Sequence, residues 1–379
     1  MFEYLYKNLV REYDPATEYW ASSPSAGGRM IGCTTTEDYS PNCFHTGDTH
    51  FYEVWLNGAP LEEYRNHRFR FLSEFAFQSL PSLKTLQTVT EEEDRNLFSP
   101  VMDARQKNDK GSGLILRYLS ATYRDPKDFP SLIYVSQLMQ ARAVSYAVEH
   151  MRRNRPYSMG TLYWQLNDVW PGISWSSVDY FGRLKALHYA ARHVYAPYTA
   201  SILDEGSQMS VYLENESRDI RRYRLVCGIR DMENRILREE EVTGQIQPFS
   251  VEKVFCRDFR TLTEGREREL YFTYRLYEDD RLIAVDTAFF TAVKHVSLPR
   301  VKIRTAVCET ENDFVIRLFS DAFAYKVMLD LKHHDAVFSD NYLTLTGEDC
   351  VVRVSKGSMP MTLPDFREEL TVFSLRDTY

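Results

Sequence analysis

The pattern of apolar residues in this chain of 379 residues changes once, near Ala196-Pro197. Before that point, segments with helical spacing alternate with short runs that are typical of β-strands. After it, only alternating strands and polar turns can be recognised. Strands that alternate with helices predict a parallel sheet, whereas a long series of strands predicts β-sandwiches. The chain is therefore predicted to have an α/β part in residues 1–197, followed by an all-β part.

The α/β part contains three helical signals and four candidate strands. Ser131 to Arg153 has apolar side chains at helical spacing and is followed by Pro156. Shorter helices are predicted from Phe2 to Tyr13, which Asp14-Pro15 ends, and from Leu184 to Tyr195. The candidate strands share short, apolar, β-favouring sequences: Tyr19–Pro24, Asp48–Tyr52, Phe69–Phe75 and Gly160–Leu166.

The all-β part divides into two blocks of sandwich size. The first, residues 198–295, has well-alternating strands such as Gln208 to Glu214 and Tyr223 to Asp231. The second, residues 296–379, contains six further strand candidates beginning near Pro299. Two blocks of about 100 residues or fewer, each with several short strands, predict two β-sandwich domains.

The net charge, the lengths of the apolar runs and the spacing of the cysteines indicate which partners and which compartment to expect. A net charge of −8 argues against a nucleic-acid partner. No apolar run approaches the roughly 20 residues needed to cross a membrane, and the N-terminal sequence has no signal-peptide layout. The six cysteines are irregularly spaced, which favours a reducing, cytoplasmic compartment. The cysteines are Cys33, Cys43, Cys227, Cys256, Cys308 and Cys350.

No cofactor or metal site is predicted. The chain has no Gly-rich phosphate loop and no His-Glu-x-x-His motif. His333-His334-Asp335 could suggest a metal ligand set, but adjacent strand residues point to opposite faces, and this segment has the character of a hairpin turn.

Among the acidic residues, Glu74 is the strongest candidate for a catalytic residue. It follows Phe71 and Leu72 in an apolar run, and a carboxylate at the C-terminal end of a barrel strand lies on the face where active sites form. The alternative is an ion pair with a neighbouring cation such as Arg68 or Arg70. From this strand alone, both interpretations remain open.

Three longer motifs, in the same order and with similar spacing, closely resemble the β-mannosidase branch of family-two glycoside hydrolases. They are Gly47–Trp55, Ser73–Ser82 and Gly160–Tyr189. This resemblance implies the C-terminal half of a (β/α)8 TIM barrel, containing its last four strands, followed by two immunoglobulin-like β-sandwich domains. It also implies a retaining exo-glycosidase whose substrate is a β-mannoside or a related carbohydrate.

The same resemblance implies roles for individual residues. Glu74 would be the catalytic nucleophile that attacks the anomeric carbon. Trp164 would form an apolar wall of the sugar subsite, and His50, Tyr52 and Trp55 would line the pocket. Two further residues follow the last predicted strand. Asn167 either forms a hydrogen bond with a sugar hydroxyl or uses its amide to fix the conformation of a loop. Asp168 is expected to be a structural residue.

Two departures from the family pattern affect these expectations. The family usually has Gly where this chain has Ala76, and Ala would be strained if the position required a positive φ. The family's acid/base glutamate lies in an Asn-Glu pair well before the nucleophile, and residues 1–73 contain no such pair. We therefore expect a C-terminal fragment that is inactive alone, with self-association or a missing N-terminal half covering the open barrel. Half of a split enzyme, or a non-catalytic carbohydrate-binding or interaction protein, are the alternatives.

Overall fold

The computed structural model describes residues 1–27, 41–358 and 361–379. Cys33 therefore lies outside the described residues. Within them the chain forms two compact units, which are treated separately below. The first contains residues 1–77 and 143–166, and the second contains residues 78–142 and 167–379.

The first unit is built on a small parallel sheet. Its strands β1 (Thr49–His50), β2 (Leu72–Ala76) and β3 (Thr161–Trp164) lie in the order β1-β2-β3. In the register of the sheet, His50 is opposite Glu74, and Ala76 is opposite Trp164. Three of the four predicted strands are thus present, each shorter than its prediction.

The fourth predicted strand, Tyr19–Pro24, is wrong. These residues are irregular, and the nearest pairing is an isolated antiparallel bridge between Ser25 and Asp48. Among the described residues no strand forms a ladder with this segment, and an aromatic, β-favouring composition alone does not make a strand.

The N-terminal helix is present as predicted, although its first turn is wide. A π-helical turn at Phe2–Tyr6 leads into α1 (Lys7–Tyr13). The helix ends at Asp14 because the following proline disfavours helical geometry in the residue before it. A 3₁₀-helix at Leu61–Asn66 connects β1 to β2. Aromatic rings fill the core beneath the sheet, where Phe51 and Phe69 lie 5.1 Å apart between centroids.

Five α-helices follow in the α/β part of the chain: α2 (Leu83–Gln87), α3 (Pro100–Ala104), α4 (Gly111–Thr122), α5 (Phe129–Arg153) and α6 (Ala186–Val194). Helix α5 confirms the prediction from Ser131 to Arg153, and α6 lies within the predicted closing helix. Ser82 and Ser99 cap α2 and α3 by accepting hydrogen bonds from the backbone N–H groups of Thr85 and Met102.

The first sandwich of the second unit has seven strands: β4 (Tyr198–Glu205), β5 (Gln208–Asn215), β6 (Arg221–Asp231), β7 (Ile236–Ile246), β8 (Ser250–Asp258), β9 (Leu270–Glu278) and β10 (Arg281–Phe289). A short helix, α7 (Arg260–Thr263), follows β8. One antiparallel sheet has the order β4-β5-β8 and the other β10-β9-β6-β7. Alternate residues of both sheets, including Val211, Leu225 and Phe272, fill one buried core.

The second sandwich has six strands: β11 (Arg304–Glu309), β12 (Asp313–Phe319), β13 (Ala324–Leu331), β14 (Leu343–Leu345), β15 (Cys350–Ser355) and β16 (Leu370–Phe373). The strand orders are β11-β12-β15 and β14-β13-β16. Helix α8 (Leu363–Glu369) inserts Phe366 into the core, where its ring stacks on Phe314 at 4.2 Å between centroids.

Polar contacts join the helical part of the second unit to its C-terminal sandwich. Lys84 Nζ lies 2.8 Å from Asp330, and the Arg183 guanidinium donates two hydrogen bonds to Asp335. Tyr342 donates a hydrogen bond to Gln137 at 3.0 Å. In the parts of the chain that the structure describes, no helix is long and apolar enough to cross a membrane, and no group of three His, Cys, Asp or Glu side chains could hold a metal ion.

Candidate active site

Glu74 occupies the middle of β2, and its carboxylate is held by Tyr52. The Tyr52 hydroxyl donates a hydrogen bond of 2.5 Å to Glu74 Oε1. Burial raises the pKa of Tyr52 well above its ordinary value, and the hydrogen bond to Glu74 and the negative charge of Glu74 raise it further. The phenol therefore stays protonated at neutral pH, so that it is a permanent donor to this carboxylate.

His50 lies beside the same carboxylate oxygen. Its Nδ1 atom is 3.8 Å from Glu74 Oε1, and the side chains of His50 and Glu74 are 21% and 26% exposed. The parallel register of β1 and β2 places these two residues opposite each other. The sheet thus brings together three of the predicted site residues, and it leaves the Glu74 carboxylate accessible from solvent.

A buried acid, Asp48, lies behind His50. Its carboxylate accepts hydrogen bonds from the Ser23 and Ser73 hydroxyls at 2.6 and 2.5 Å, from the Trp20 ring at 3.0 Å and from the Ser25 backbone at 2.9 Å. Burial alone would raise the pKa of Asp48, but these four hydrogen bonds outweigh it and hold the pKa below its usual value. Asp48 is therefore a permanent acceptor and not a proton donor.

The two predicted tryptophans have different surroundings. Trp164, at the end of β3, is 44% exposed, which leaves its ring surface available to a ligand, and the peptide bond that follows it is cis. Trp55 is completely buried, and its ring packs against Phe77 at 4.6 Å between centroids. The predicted pocket-lining role of Trp55 needs an exposed ring face, and the structure gives it none; Trp55 is a core residue here.

Asn167 and Asp168 belong to the second unit. Asn167 is exposed, and its hydrogen bond to a sugar hydroxyl remains a prediction. Asp168 forms an ion pair of 2.5 Å with Lys107 and accepts hydrogen bonds from Ser174 and Ser176 at 2.7 and 2.6 Å. These are the surroundings of a structural residue. At the other questioned position, Ala76 is a strand residue outside the positive-φ region, so the expected strain does not arise.

An open pocket of about 440 Å³ is lined by His50 and Tyr52, although neither Glu74 nor Trp164 lines it. This volume falls in the range of about 300–1,000 Å³ that is typical of small-molecule pockets. Its remaining lining mixes aromatic and polar side chains: Asn42, Phe44, Phe51, Glu53, Ala59, Glu63 and His67. Such a mixture suits a ligand that has both hydroxyl groups and apolar C–H faces.

Several known proteins are similar to this chain in sequence or in fold. A family model described as "Mannosidase Ig/CBM-like domain" matches residues 207–295, and an Ig-fold domain model named for mannosidases matches residues 298–378. The β-mannosidase of Capra hircus is 28% identical over 98% of this chain. The crystal structure of β-D-mannosidase from Dictyoglomus thermophilum superposes on 98% of the chain with a TM-score of 0.88 and 25% identity.

The chain is β-mannosidase-like. The resemblance to the β-mannosidase branch of family-two glycoside hydrolases is confirmed, and so are the immunoglobulin-like domains. The exo-chitosanase of Amycolatopsis orientalis, at 13% identity and a TM-score of 0.65, shares the fold. This β-mannosidase-like chain spans 44% of the length of its caprine and bovine relatives.

Sequence reasoning assigned no role to the residues behind His50. Asp48 and Ser73 both lie in recognised motifs, but in the sequence Asp48 stands between Gly47 and Thr49, and nothing there indicates that serine hydroxyls surround it in the fold. Ser23 gave no signal either, because it is 27 positions from His50 and lies in a segment that was predicted to be a strand.

Proposed function

We propose that this chain forms the nucleophile-bearing part of a retaining β-mannosidase-like glycosidase, with Glu74 as the nucleophile. The observation that carries the proposal is the state of the Glu74 carboxylate. One of its oxygens is held by Tyr52 at 2.5 Å, while the side chain remains 26% exposed. A carboxylate that is oriented but still accessible suits attack on an anomeric carbon.

A retaining glycosidase needs a second carboxyl group, roughly 5–5.5 Å from the first, to protonate the leaving oxygen. Asp48 is unsuited to this role because its lowered pKa keeps it ionised. We infer that another segment or chain supplies the acid/base, and that residues 1–379 alone turn over ordinary glycosides very slowly. General acid catalysis typically contributes about 10²–10⁴-fold.

We propose that residues 1–197 form part of a (β/α)8 barrel, and that residues 198–295 and 296–379 form the two sandwich domains. In support, the described residues of the first unit form a parallel sheet of three strands, in which β1 and β3 are the outer ones. On β3, Leu162 and Trp164 are 57% and 44% exposed. Exposed apolar side chains on one strand favour contact with another surface, either a second copy or the remainder of a barrel.

Sedimentation velocity at low micromolar concentration tests self-association. We expect a species heavier than the 44.4 kDa monomer. Leu162→Lys should shift the distribution toward monomer, whereas the matched control Leu282→Lys, on an exposed strand of the first sandwich, should not. A clean monomer for the unmodified chain would contradict self-association.

The experiment that tests the nucleophile uses a 2-fluoro-β-mannoside with a dinitrophenolate leaving group. This leaving group departs without protonation, so the test does not need an acid/base. We expect a covalent fluoromannosyl adduct, found by intact mass and located on Glu74 by peptide mapping. Glu74→Gln is the matched control and should form none. An unlabelled chain that circular dichroism shows to be folded would overturn the proposal.

A second candidate is a non-catalytic carbohydrate-binding protein. The match of residues 207–295 to an Ig/CBM-like family model favours it. This candidate predicts that calorimetric binding of β-mannosides survives Glu74→Gln unchanged and that no adduct forms under any condition.

We also propose a reducing, cytoplasmic location. Its support is that the cysteines in the described part of the chain are all unpaired: Cys43, Cys227, Cys256, Cys308 and Cys350. Thiol titration of the protein isolated without reductant should find these thiols free.

A further inference from the structure

The imidazole of His50 has two different neighbours, one at each ring nitrogen. Nδ1 lies 3.8 Å from Glu74 Oε1, and Nε2 lies 3.0 Å from the Ser23 hydroxyl oxygen. A neutral imidazole carries its proton on only one nitrogen, and the hydrogen bond at one nitrogen decides the state of the other. The role of Ser23 as donor or acceptor therefore decides what His50 presents to the candidate nucleophile.

The protons around Asp48 can be counted from the contacts. Asp48 Oδ1 receives the Trp20 ring N–H and the Ser25 backbone N–H, neither of which can reverse its role. Asp48 Oδ2 is 2.6 Å from the Ser23 hydroxyl and 2.5 Å from the Ser73 hydroxyl. Two other acceptors lie within reach of the Ser23 proton: the Ser73 hydroxyl at 3.4 Å and, when it is unprotonated, His50 Nε2 at 3.0 Å. Both are neutral and more distant than the ionised Asp48 Oδ2, and a charged acceptor forms the shorter and stronger hydrogen bond. Ser23 has one proton, and Asp48 receives it.

Once its proton is committed to Asp48, Ser23 can only accept a hydrogen bond from His50. We infer that Asp48, acting through Ser23, fixes neutral His50 as the Nε2–H tautomer, so that Nδ1 presents a lone pair beside Glu74 Oε1. That lone pair is a hydrogen-bond acceptor for a hydroxyl group of a bound sugar. Asp48 and Ser23 are thus positioning residues, which act on the site through His50; the sugar ligand rests on the function proposed above.

The tautomer has a chemical consequence for the site. A proton on Nδ1 would face Glu74 Oε1 and compete with a sugar hydroxyl for the space next to the carboxylate. With the proton on Nε2, the nitrogen facing Glu74 has no donor to offer, and Tyr52 remains the group that holds Oε1. The low pKa of Asp48 supports this arrangement, because a carboxylate that stays ionised cannot return a proton to Ser23.

Long-range ¹H–¹⁵N correlation NMR distinguishes the two neutral tautomers directly, because protonated and unprotonated ring nitrogens have well-separated ¹⁵N shifts. Spectra are recorded above about pH 8, where an ordinary imidazole is neutral. His50→Gln identifies the His50 signals among the nine histidines by their loss. We expect the Nε2–H pattern for His50 in the unmodified chain. An Nδ1–H pattern there would overturn the inference.

Asp48→Asn is the sharpest variant, because its amide can be oriented in one way only. The Asn oxygen must occupy the Oδ1 position, where two N–H donors point at it, so the NH₂ group occupies the Oδ2 position and donates to Ser23 and Ser73. Ser23 is then free to donate its own proton to His50 Nε2. We expect the His50 tautomer to switch to Nδ1–H. An unchanged tautomer in the folded variant would contradict the relay.

Ser23→Ala provides a second test if Asp48→Asn does not fold. Without the Ser23 hydroxyl, His50 Nε2 loses the hydrogen-bond acceptor that Asp48 orients. We therefore expect a mixture of the two neutral tautomers instead of the Nε2–H form alone. Ser22→Ala, a change at the neighbouring exposed serine, is the matched control and should keep the Nε2–H pattern. A pure Nε2–H pattern in Ser23→Ala would overturn the inference.

These spectra need no catalysis, so they separate the inference from the proposed function. If the unmodified chain shows the Nε2–H form but no fluoromannosyl adduct, the relay stands and the nucleophile assignment fails. If the adduct forms, we expect Asp48→Asn to slow its formation at least tenfold, with His50 in the Nδ1–H form. Equal labelling rates with a switched tautomer would show that the Nδ1 lone pair does not contribute to sugar binding.

Discussion

Glu74 and Asp168 are two carboxylates from neighbouring family motifs, and their surroundings differ in almost every respect. The Glu74 side chain is 26% exposed; Tyr52 donates to one of its oxygens, and His50 lies 3.8 Å away. The Asp168 side chain is 1% exposed, and its two oxygens are shared between Lys107, Ser174 and Ser176. The first carboxylate is oriented and accessible, whereas the second is enclosed and held by three donors.

This difference shows what separates a reactive carboxylate from a structural one. Both residues lie close to the end of a strand signal in the sequence, so position alone does not distinguish them. The number of donors and the burial distinguish them: a carboxylate that accepts three buried hydrogen bonds cannot approach an anomeric carbon without breaking some of them, which is costly. Glu74 retains accessible carboxylate surface, and Asp168 does not.

Asp168 also supports a second buried charge. Lys185 is 1% exposed, and burial lowers its pKa to about 7, although the negative charges of Asp168 and Asp179 act in the opposite direction. The Lys107 ammonium lies over the Trp170 ring at 4.7 Å as well as against Asp168. The region around Asp168 is thus a packed network of charges, in which each member depends on the others.

The largest predicted effect compares amide substitutions at the two carboxylates. Asp168→Asn should lower the free energy of unfolding by about 3–5 kcal/mol, because it leaves Lys107, whose side chain is 11% exposed, without its counter-charge. Glu74→Gln should change it by less than about 1 kcal/mol, since the site is open to water. Urea unfolding measures both. Adding Lys107→Met to Asp168→Asn should restore part of the loss, and equal costs for the two amide variants would break the comparison.

The second-largest predicted effect is a loss of stability of the first unit at acidic pH. Burial lowers the pKa of His150 to about 4, with smaller contributions from nearby arginines, and the ring hydrogen-bonds to the His67 carbonyl oxygen at 2.8 Å. The unfolded chain, with a histidine pKa of about 6.5, binds a proton that the folded chain does not. The contribution of neutral His150 to the free energy of unfolding is therefore complete above about pH 6.5 and is lost as the pH falls toward 4. Its upper limit is about 3 kcal/mol, since each pKa unit corresponds to about 1.4 kcal/mol.

Urea midpoints measured between pH 4 and 7 test this dependence. His150→Gln should flatten the profile in that window, because glutamine can donate the same hydrogen bond but cannot be protonated. His295→Gln, at an exposed histidine of the second unit, is the matched control and should leave the profile as it is. Parallel profiles for the unmodified chain and His150→Gln would contradict the assignment.

The smallest effect sharpens the role of Tyr52. Tyr52→Phe removes the hydrogen bond that orients the Glu74 carboxylate, and a hydrogen bond to a charged group contributes about 1.5–3 kcal/mol. We expect fluoromannosyl labelling to slow by roughly 10–100-fold, which is the same energy expressed as a rate. The rate is followed by intact mass. Tyr13→Phe, at a largely exposed tyrosine of α1, should label at the unmodified rate.

Much of the fold followed from local pattern. Helix α5 and strand β3 have strong signals of length, periodicity and flanking breakers, and the structure places the ends of both within two residues of their predicted ends. The sandwiches also follow from alternation along single strands. In contrast, Tyr19–Pro24 has the composition of a strand, but no strand in the described part of the chain pairs with it, and pairing is a property of the folded chain and not of the segment.

The site was predictable only in part, for the same reason. Glu74, His50 and Tyr52 could be placed together because parallel strands bring their motifs into register. The burial of Trp55 could not be predicted, since the sequence of a motif does not reveal whether an aromatic side chain points into the core or toward the pocket. The contact of Ser23 with His50 joins residues that no local pattern connects.

Peptide-mapped labelling with the activated 2-fluoro-β-mannoside tests the central claim most directly, because Glu74 and Asp168 are read in the same digest. We predict that the peptide containing Glu74 carries the fluoromannosyl group and that the peptide containing Asp168 is unmodified. Modification at Asp168, or a folded chain with neither peptide modified, would contradict it.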